Sequence, residues 1–136
     1  MYRLTYLFVQ GIVMCLVING VLMGQTNPPF MSGVPELLLL RLLEQREMYG
    51  YELVRSIKTV TSDAISLGEG VIYPVLHSLE KAGALSAHRK AVSGRTRVYY
   101  ALTAKGRKRL DRLQNEWQRV ESGVRAALDR PSHAPA

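Results

Sequence analysis

Cysteine is almost absent: Cys15 is the only one in 136 residues, which excludes an internal disulfide and any zinc site built from several thiolates. Histidine is scarce too. His77, His88 and His133 show no metal-ligand spacing with carboxylates, and neither a nucleophile elbow nor a phosphate loop occurs. No catalytic residue, metal or cofactor is therefore expected, and enzymatic chemistry has no support. Carboxylates are outnumbered, with 11 Asp plus Glu against 18 Lys plus Arg and a formal net charge of +7. Only Arg3 of these charges precedes Met31, so the remainder carries 17 minus 11, or +6. That field favours a polyanionic partner without identifying one. The length suits a single domain, and the lone thiol suits a reducing cytoplasm, the expected location.

Charge is missing altogether from Leu4 to Met23 (LTYLFVQGIVMCLVINGVLM), a run about as long as the roughly 20 apolar residues that a spanning helix needs. Gln10, Asn19 and Gly20 dilute it, which weighs against a membrane partner, and no small-x-small cleavage site follows. Three readings stay open for residues 1–30: an extension upstream of a functional start at Met31, a membrane segment that tethers the rest, or an extra helix packed on a dimer. Asn27-Pro28-Pro29 breaks the chain before the remainder.

Pro35 at a first helical position begins a helix through about Glu47. Leu37 to Leu40, Leu42 and Leu43 make it apolar on most sides, and a second subunit is the simplest cover for that surface. Tyr49 to about Val60 is the next helix, with Leu53, Val54, Ile57 and Val60 toward the core and Glu52, Arg55 and Thr59 outside. Thr61 to Leu67 turns the chain into a third helix, Gly68 to Ala82, completing a helix-turn-helix. Val71, Ile72, Val75, Leu76 and Leu79 share its buried side, while Glu69, Tyr73, His77 and Lys81 recur every four residues on a second stripe. Pro74 lies near the helix start, where at most about one intrahelical bond is lost. Gly83 supplies the stop.

After Leu85 the period shortens, and Val98, Tyr99 and Tyr100 follow Ser93-Gly94-Arg95. This is a two-stranded hairpin with Gly94 at its turn. His88, Arg89, Lys90, Arg95 and Arg97 concentrate positive charge on a finger too small for its own core. A basic hairpin beside a helix is how a winged helix grips DNA, with the helix in the major groove and the wing along phosphates or in the minor groove.

Thr103 is the expected N-cap of a last helix running to about Leu128. Leu110, Leu113, Trp117, Val120, Val124 and Ala127 alternate spacings of four and three, the seam of a coiled coil and so of a dimer interface. Pro131 onward reads as a disordered tail. The division is therefore an apolar extension at 1–30, a winged helix at 31–102, a dimerisation helix at 103–128 and a tail at 129–136. The fold class is mainly α with a small β-hairpin.

Each candidate contact has an ordinary alternative. Tyr73 suits the DNA backbone or N-terminal packing, and His77 suits a base edge or plain solvation. Lys81 also complements the helix dipole. Arg95 and Arg97 flank a turn where guanidiniums have little structural purpose, which favours phosphate or minor-groove contact over a merely solvated hairpin. Trp117 on the seam is ordinary apolar packing or, doubled across a dimer axis, a sandwich for a flat ligand. In that second case Leu39 and Leu43 would complete an effector pocket.

Tyr49-Gly50-Tyr51-Glu52-Leu53, Gly70-Val71-Ile72-Tyr73-Pro74-Val75-Leu76, Leu79-Glu80-Lys81-Ala82-Gly83, Gly94-Arg95 and Tyr99-Tyr100-Ala101-Leu102-Thr103 with Gly106 together resemble the PadR family of bacterial transcriptional regulators. The resemblance covers roughly Met31 to Leu128, and the single C-terminal helix resembles the short-tailed subgroup, including its multidrug-binding members. It implies a homodimeric repressor on double-stranded DNA with a pseudo-palindromic operator, and it adds Tyr51 to the DNA-contact set. It also implies a planar aromatic or phenolic effector, since some members hold planar drugs with a tryptophan on this helix and others answer to phenolic acids. Two competitors stand beside it: a membrane-tethered regulator anchored by residues 4–23, and a winged-helix protein-interaction module without sequence preference on DNA.

Overall fold

The computed structural model describes residues 31–132; the readings offered for residues 1–30, and the last four residues of the tail, lie outside them. Four helices, α1 (Val34–Gln45), α2 (Gly50–Val60), α3 (Glu69–Lys81) and α4 (Ala104–Leu128), are joined by three strands, β1 (Met48–Tyr49), β2 (Leu85–Val92) and β3 (Arg95–Leu102). The mainly helical winged helix-turn-helix is as expected. Its sheet is larger than a hairpin, being antiparallel in the order β1-β3-β2. Met48 lies opposite Tyr100 and Tyr49 opposite Tyr99, so the second helix begins at Gly50 and the residues before it form a strand.

α1 buries Leu39, Leu40, Leu42 and Leu43 among α2, α3, α4 and β3 of the same chain. For these four this corrects the expectation that a second subunit covers the helix, whereas Leu37 and Leu38 are only partly buried. Full burial of one such leucine stabilises by roughly 1.5–3 kcal/mol. In α2, Leu53 and Ile57 are buried, whereas Val60 is 60% exposed; it ends the helix beyond the reach of the core.

The turn between α2 and α3 is organised by Thr61. Its hydroxyl donates to the Ile57 carbonyl at 2.8 Å and accepts from the Ile65 amide at 3.1 Å, while Ser62 and Asp63 adopt left-handed φ values of 51° and 64°. The Gly68 carbonyl accepts from the amides of Val71 and Ile72 to start α3. Ile72, Leu76 and Leu79, spaced four and three apart, are buried. Val71 is 39% exposed, a correction to its placement on the core side. α3 continues through Pro74. It stops at Gly83, whose φ of 80° lets the Gly83 amide reach the Glu80 carbonyl and the Ala84 amide reach that of Leu79, the paired bonds that close a helix C-terminus.

Ser93 and Gly94 both have positive φ, 51° and 75°, and Val92 faces Arg95 across them. This two-residue turn matches the twist of its strands. α4 is capped by Thr103, whose hydroxyl accepts from the Gly106 amide at 3.0 Å and lies 2.7 Å from the Gly83 carbonyl oxygen. The same residue thus starts α4 and ties it to the end of α3.

Candidate nucleic-acid interface

Tyr73, His77 and Lys81 share a face of α3, with the Tyr73 and His77 ring centroids 6.3 Å apart. His77 and Lys81 are exposed, and Tyr73 is half-buried. Its ring lies over the first residue of α2, where only a glycine leaves room: a Cβ on Gly50 would overlap the phenol. Tyr51, one position on, is 51% exposed.

The wing has two unlike faces because directly paired residues share a side of a sheet. Leu85 with Leu102, and Ala87 with Tyr100 and Met48, turn toward the core. Burial pushes the Tyr100 phenol above its ordinary pKa, with Glu80 and Tyr73 adding to the effect. The opposite face carries Tyr49, Tyr99, His88, Lys90 and Arg97. There the Tyr49 and Tyr99 rings meet edge to face at 5.5 Å, His88 stacks on Tyr99 at 6.3 Å, and the Lys90 ammonium lies 4.8 Å from the Tyr99 ring centre.

Glu47, between α1 and β1, closes this face. Its carboxylate accepts a hydrogen bond from Lys90 Nζ and lies 3.0 Å from His88 Nε2. The bond from Lys90 holds the Glu47 carboxyl below its ordinary pKa, and the same bond raises that of Lys90. Next to it, Arg46 pairs with Glu52 of α2 at 2.7 Å, and its pKa is raised by that hydrogen bond. Glu47 is the residue that sequence reasoning missed, because its partners stand about forty positions away and no local pattern marks it.

These pairings sort the cations. Arg41, Arg46, Lys58, Lys90, Arg107, Arg109, Arg112 and Arg125 each pair with a carboxylate. Among the described residues nine others have no such partner: Lys81, Arg89, Arg95 and Arg97 on α3 and the wing, and Arg55, Lys105, Lys108, Arg119 and Arg130 elsewhere. Arg95 is exposed beside the turn, while Arg97 is half-buried, its guanidinium over the Tyr49 ring. The expected concentration of charge on the wing is therefore narrower than its composition, since His88 and Lys90 face Glu47.

Along α4, Leu110 is fully buried in the core of its own chain, not on an intersubunit seam, and Leu113 packs partly against that core. Arg107 bonds to Glu44 at 2.7 Å and Arg109 to Glu36, fixing the first turns of α4 to α1; the latter bond raises the Arg109 pKa. Beyond Leu113 the apolar positions are open: Trp117 is 45%, Val120 50% and Val124 53% exposed. A groove of about 300 Å³ lies between the helices, lined by Gly33, Val34, Leu37, Leu113, Trp117 and Val120 among others. Leu39 and Leu43, expected beside Trp117, are instead 0% and 3% exposed inside the core. Leu39 lies about 160° and Leu43 about 120° round α1 from Leu37. Among the described residues, no group of three or more His, Cys, Asp or Glu could hold a metal ion, and no helix is long and apolar enough to cross a membrane.

Comparison with known proteins agrees with this arrangement. The transcriptional regulator PadR-like family matches residues 39–112, more than half of the chain. A Lysinibacillus sphaericus protein known as uncharacterized protein X is 34% identical over 85 residues, which are 62% of this chain and 78% of the relative. Transcriptional regulator YqjI of Escherichia coli is 28% identical over 103 residues, 76% of this chain. The chain spans only 48% of YqjI's length. The crystal structure of a PadR-like transcriptional regulator from Bacillus cereus superposes with a TM-score of 0.67 at 31% identity, covering 76% of this chain and 100% of that one. The chain belongs to the transcriptional regulator PadR-like family, whose members are regulators and not enzymes.

Proposed function

We propose that this chain is a sequence-specific repressor of the cytoplasm that binds a pseudo-palindromic operator as a homodimer and is released by a planar aromatic or phenolic effector. The observation that carries the reading is unpaired basic charge gathered on the helix and wing: Lys81 at the end of α3, and Arg89, Arg95 and Arg97 on the wing, have no carboxylate partner among the described residues. The five other unpaired cations, Arg55, Lys105, Lys108, Arg119 and Arg130, lie on α2, on α4 and just after it. Tyr51, Tyr73, His77 and Lys81 would meet the major groove and its flanking phosphates, and Arg95 and Arg97 the phosphates or the minor groove.

The open seam of α4 supports the dimer. Trp117, Val120 and Val124 repeat at three and four and are half exposed, as positions meant for a second copy are. Two such heads place half-site centres about one helical turn, or a small multiple, apart. The groove beside Trp117 supports an aromatic effector. An effector seated there shifts the equilibrium between two head arrangements already accessible to the dimer.

Selection of random-sequence duplex by the full chain at about physiological salt tests the first part. An enriched inverted repeat is expected. Uniform weak retention would sink it and favour a wing that reads an acidic protein partner. Trp117 is the only tryptophan, so quenching of its fluorescence by planar aromatic compounds reads the effector groove directly; no quenching across a diverse panel would remove the effector.

A further inference from the structure

Lys90 and Arg97 stand directly opposite each other in the β2–β3 ladder, and like charges so placed repel. Each is compensated differently. Arg97 lies over the Tyr49 ring, which leaves its positive charge uncancelled. Lys90 donates to a full countercharge, Glu47, supplied by the segment that enters β1. That segment is itself pinned to α2 by Arg46 and Glu52, so Glu47 does not follow the wing freely.

We propose that Glu47 is a positioning residue that withholds Lys90 from nucleic-acid phosphate, leaving Arg89, Arg95 and Arg97 as the wing's phosphate contacts. The inference rests on the reading of this face as a DNA interface. A lysine on phosphate adds affinity for any sequence, because each neutralised phosphate releases counterions whatever the base pair. A carboxylate that occupies the lysine removes that indiscriminate share and leaves base contacts a larger part of the whole. Glu47 also joins the hairpin to the helices, so its effect must be separated from a merely structural one.

The separation comes from the salt dependence of binding to random-sequence duplex, measured with the full chain and three variants. Lys90→Gln should leave the slope of log affinity against log salt at its wild-type value, because the ammonium it removes is not on phosphate. Glu47→Gln should steepen that slope by about 0.9, one added phosphate. The double variant Glu47→Gln with Lys90→Gln should return to the wild-type slope, which loss of wing structure alone would not produce. A Glu47→Gln slope equal to wild type, or a double variant as steep as Glu47→Gln, would overturn the inference while leaving DNA binding standing. Wild-type protein with no salt-dependent binding would overturn the DNA reading and this inference with it.

Discussion

The Arg97 guanidinium carbon stands 4.4 Å from the centre of the Tyr49 ring, joining the two-residue strand β1 to the long strand β3 by side chains as well as by the ladder. The same ring meets Tyr99 edge to face at 5.5 Å. A strand of two residues has few backbone bonds of its own, so these contacts carry much of its attachment. Tyr49→Phe keeps both and should be nearly neutral. Tyr49→Ala loses both and should cost about 1–2 kcal/mol, from typical cation–π and aromatic-pair values. Urea unfolding of the two variants checks this; a Tyr49→Ala protein as stable as wild type would make the stack incidental.

Two glycines should separate stability from function. A Cβ at Gly106 would meet the Ala84 carbonyl and the Leu102 side chain. The carbonyl is backbone, already engaged by the Thr103 amide, and cannot move away. Gly106→Ala should therefore destabilise by about 2–3 kcal/mol. The three atoms nearest a Cβ at Gly50 all belong to the Tyr73 phenol, a side chain that is only partly buried against the core and can shift where a backbone carbonyl cannot. Gly50→Ala should lower the unfolding midpoint less than Gly106→Ala does and weaken DNA binding through Tyr73. Equal losses of stability in both variants would count against this division.

Arg95→Ala should weaken binding to specific and random duplex alike and lower the salt slope by roughly one, as expected for a phosphate contact. Arg95 is exposed beside the turn, so the unfolding midpoint should stay within about 0.5 kcal/mol of wild type. An unchanged slope would remove Arg95 from the contact set.

The pair formed by Glu47 and Lys90 should give a stability difference between wild type and Glu47→Gln that depends on pH at both ends. Glu47 titrates below its ordinary value in the folded protein because Lys90 donates to it. Its contribution is full above the unfolded glutamate pKa and is lost as pH falls through the lower folded one. Lys90 is raised by the same bond, so its contribution is full below the unfolded lysine pKa and is lost as pH rises through the higher folded one. The difference in urea midpoint should form a plateau through neutrality and shrink at both extremes. A difference that does not vary with pH would show that the pair makes no net contribution.

Much of this molecule was legible because its signals are local. Thr103 announced the cap of α4, Gly83 the end of α3, and Ser93-Gly94 the turn of the wing, each through backbone chemistry confined to a few residues. What escaped is what depends on distant partners. β1 exists only because β3 lies beside it. Leu39, Leu43 and Leu110 carry the same apolar signal whether they face their own core or a second subunit, and periodicity cannot distinguish those fates. Val60 and Val71 fit the buried stripe by spacing, yet Val60 ends α2 beyond the core, and Val71 is turned about 100° round α3 from its fully buried neighbour Ile72. On the site, the sequence marked which side chains are basic and did not reveal which of them another residue already holds.

The fixed base of α4 has a mechanical consequence. From Leu110, buried in the core, to Leu128, 78% exposed, the helix rises about 27 Å, so it is a lever whose fulcrum is the packed turn at Leu110, with Leu113 partly packed beside it. A tilt of about 10° at that fulcrum sweeps the far end through roughly 5 Å at the helical rise per residue. A displacement at Trp117, about 10 Å along the helix from Leu110 and beside Val34 and Leu37, is thereby magnified about 2.6-fold at the tip.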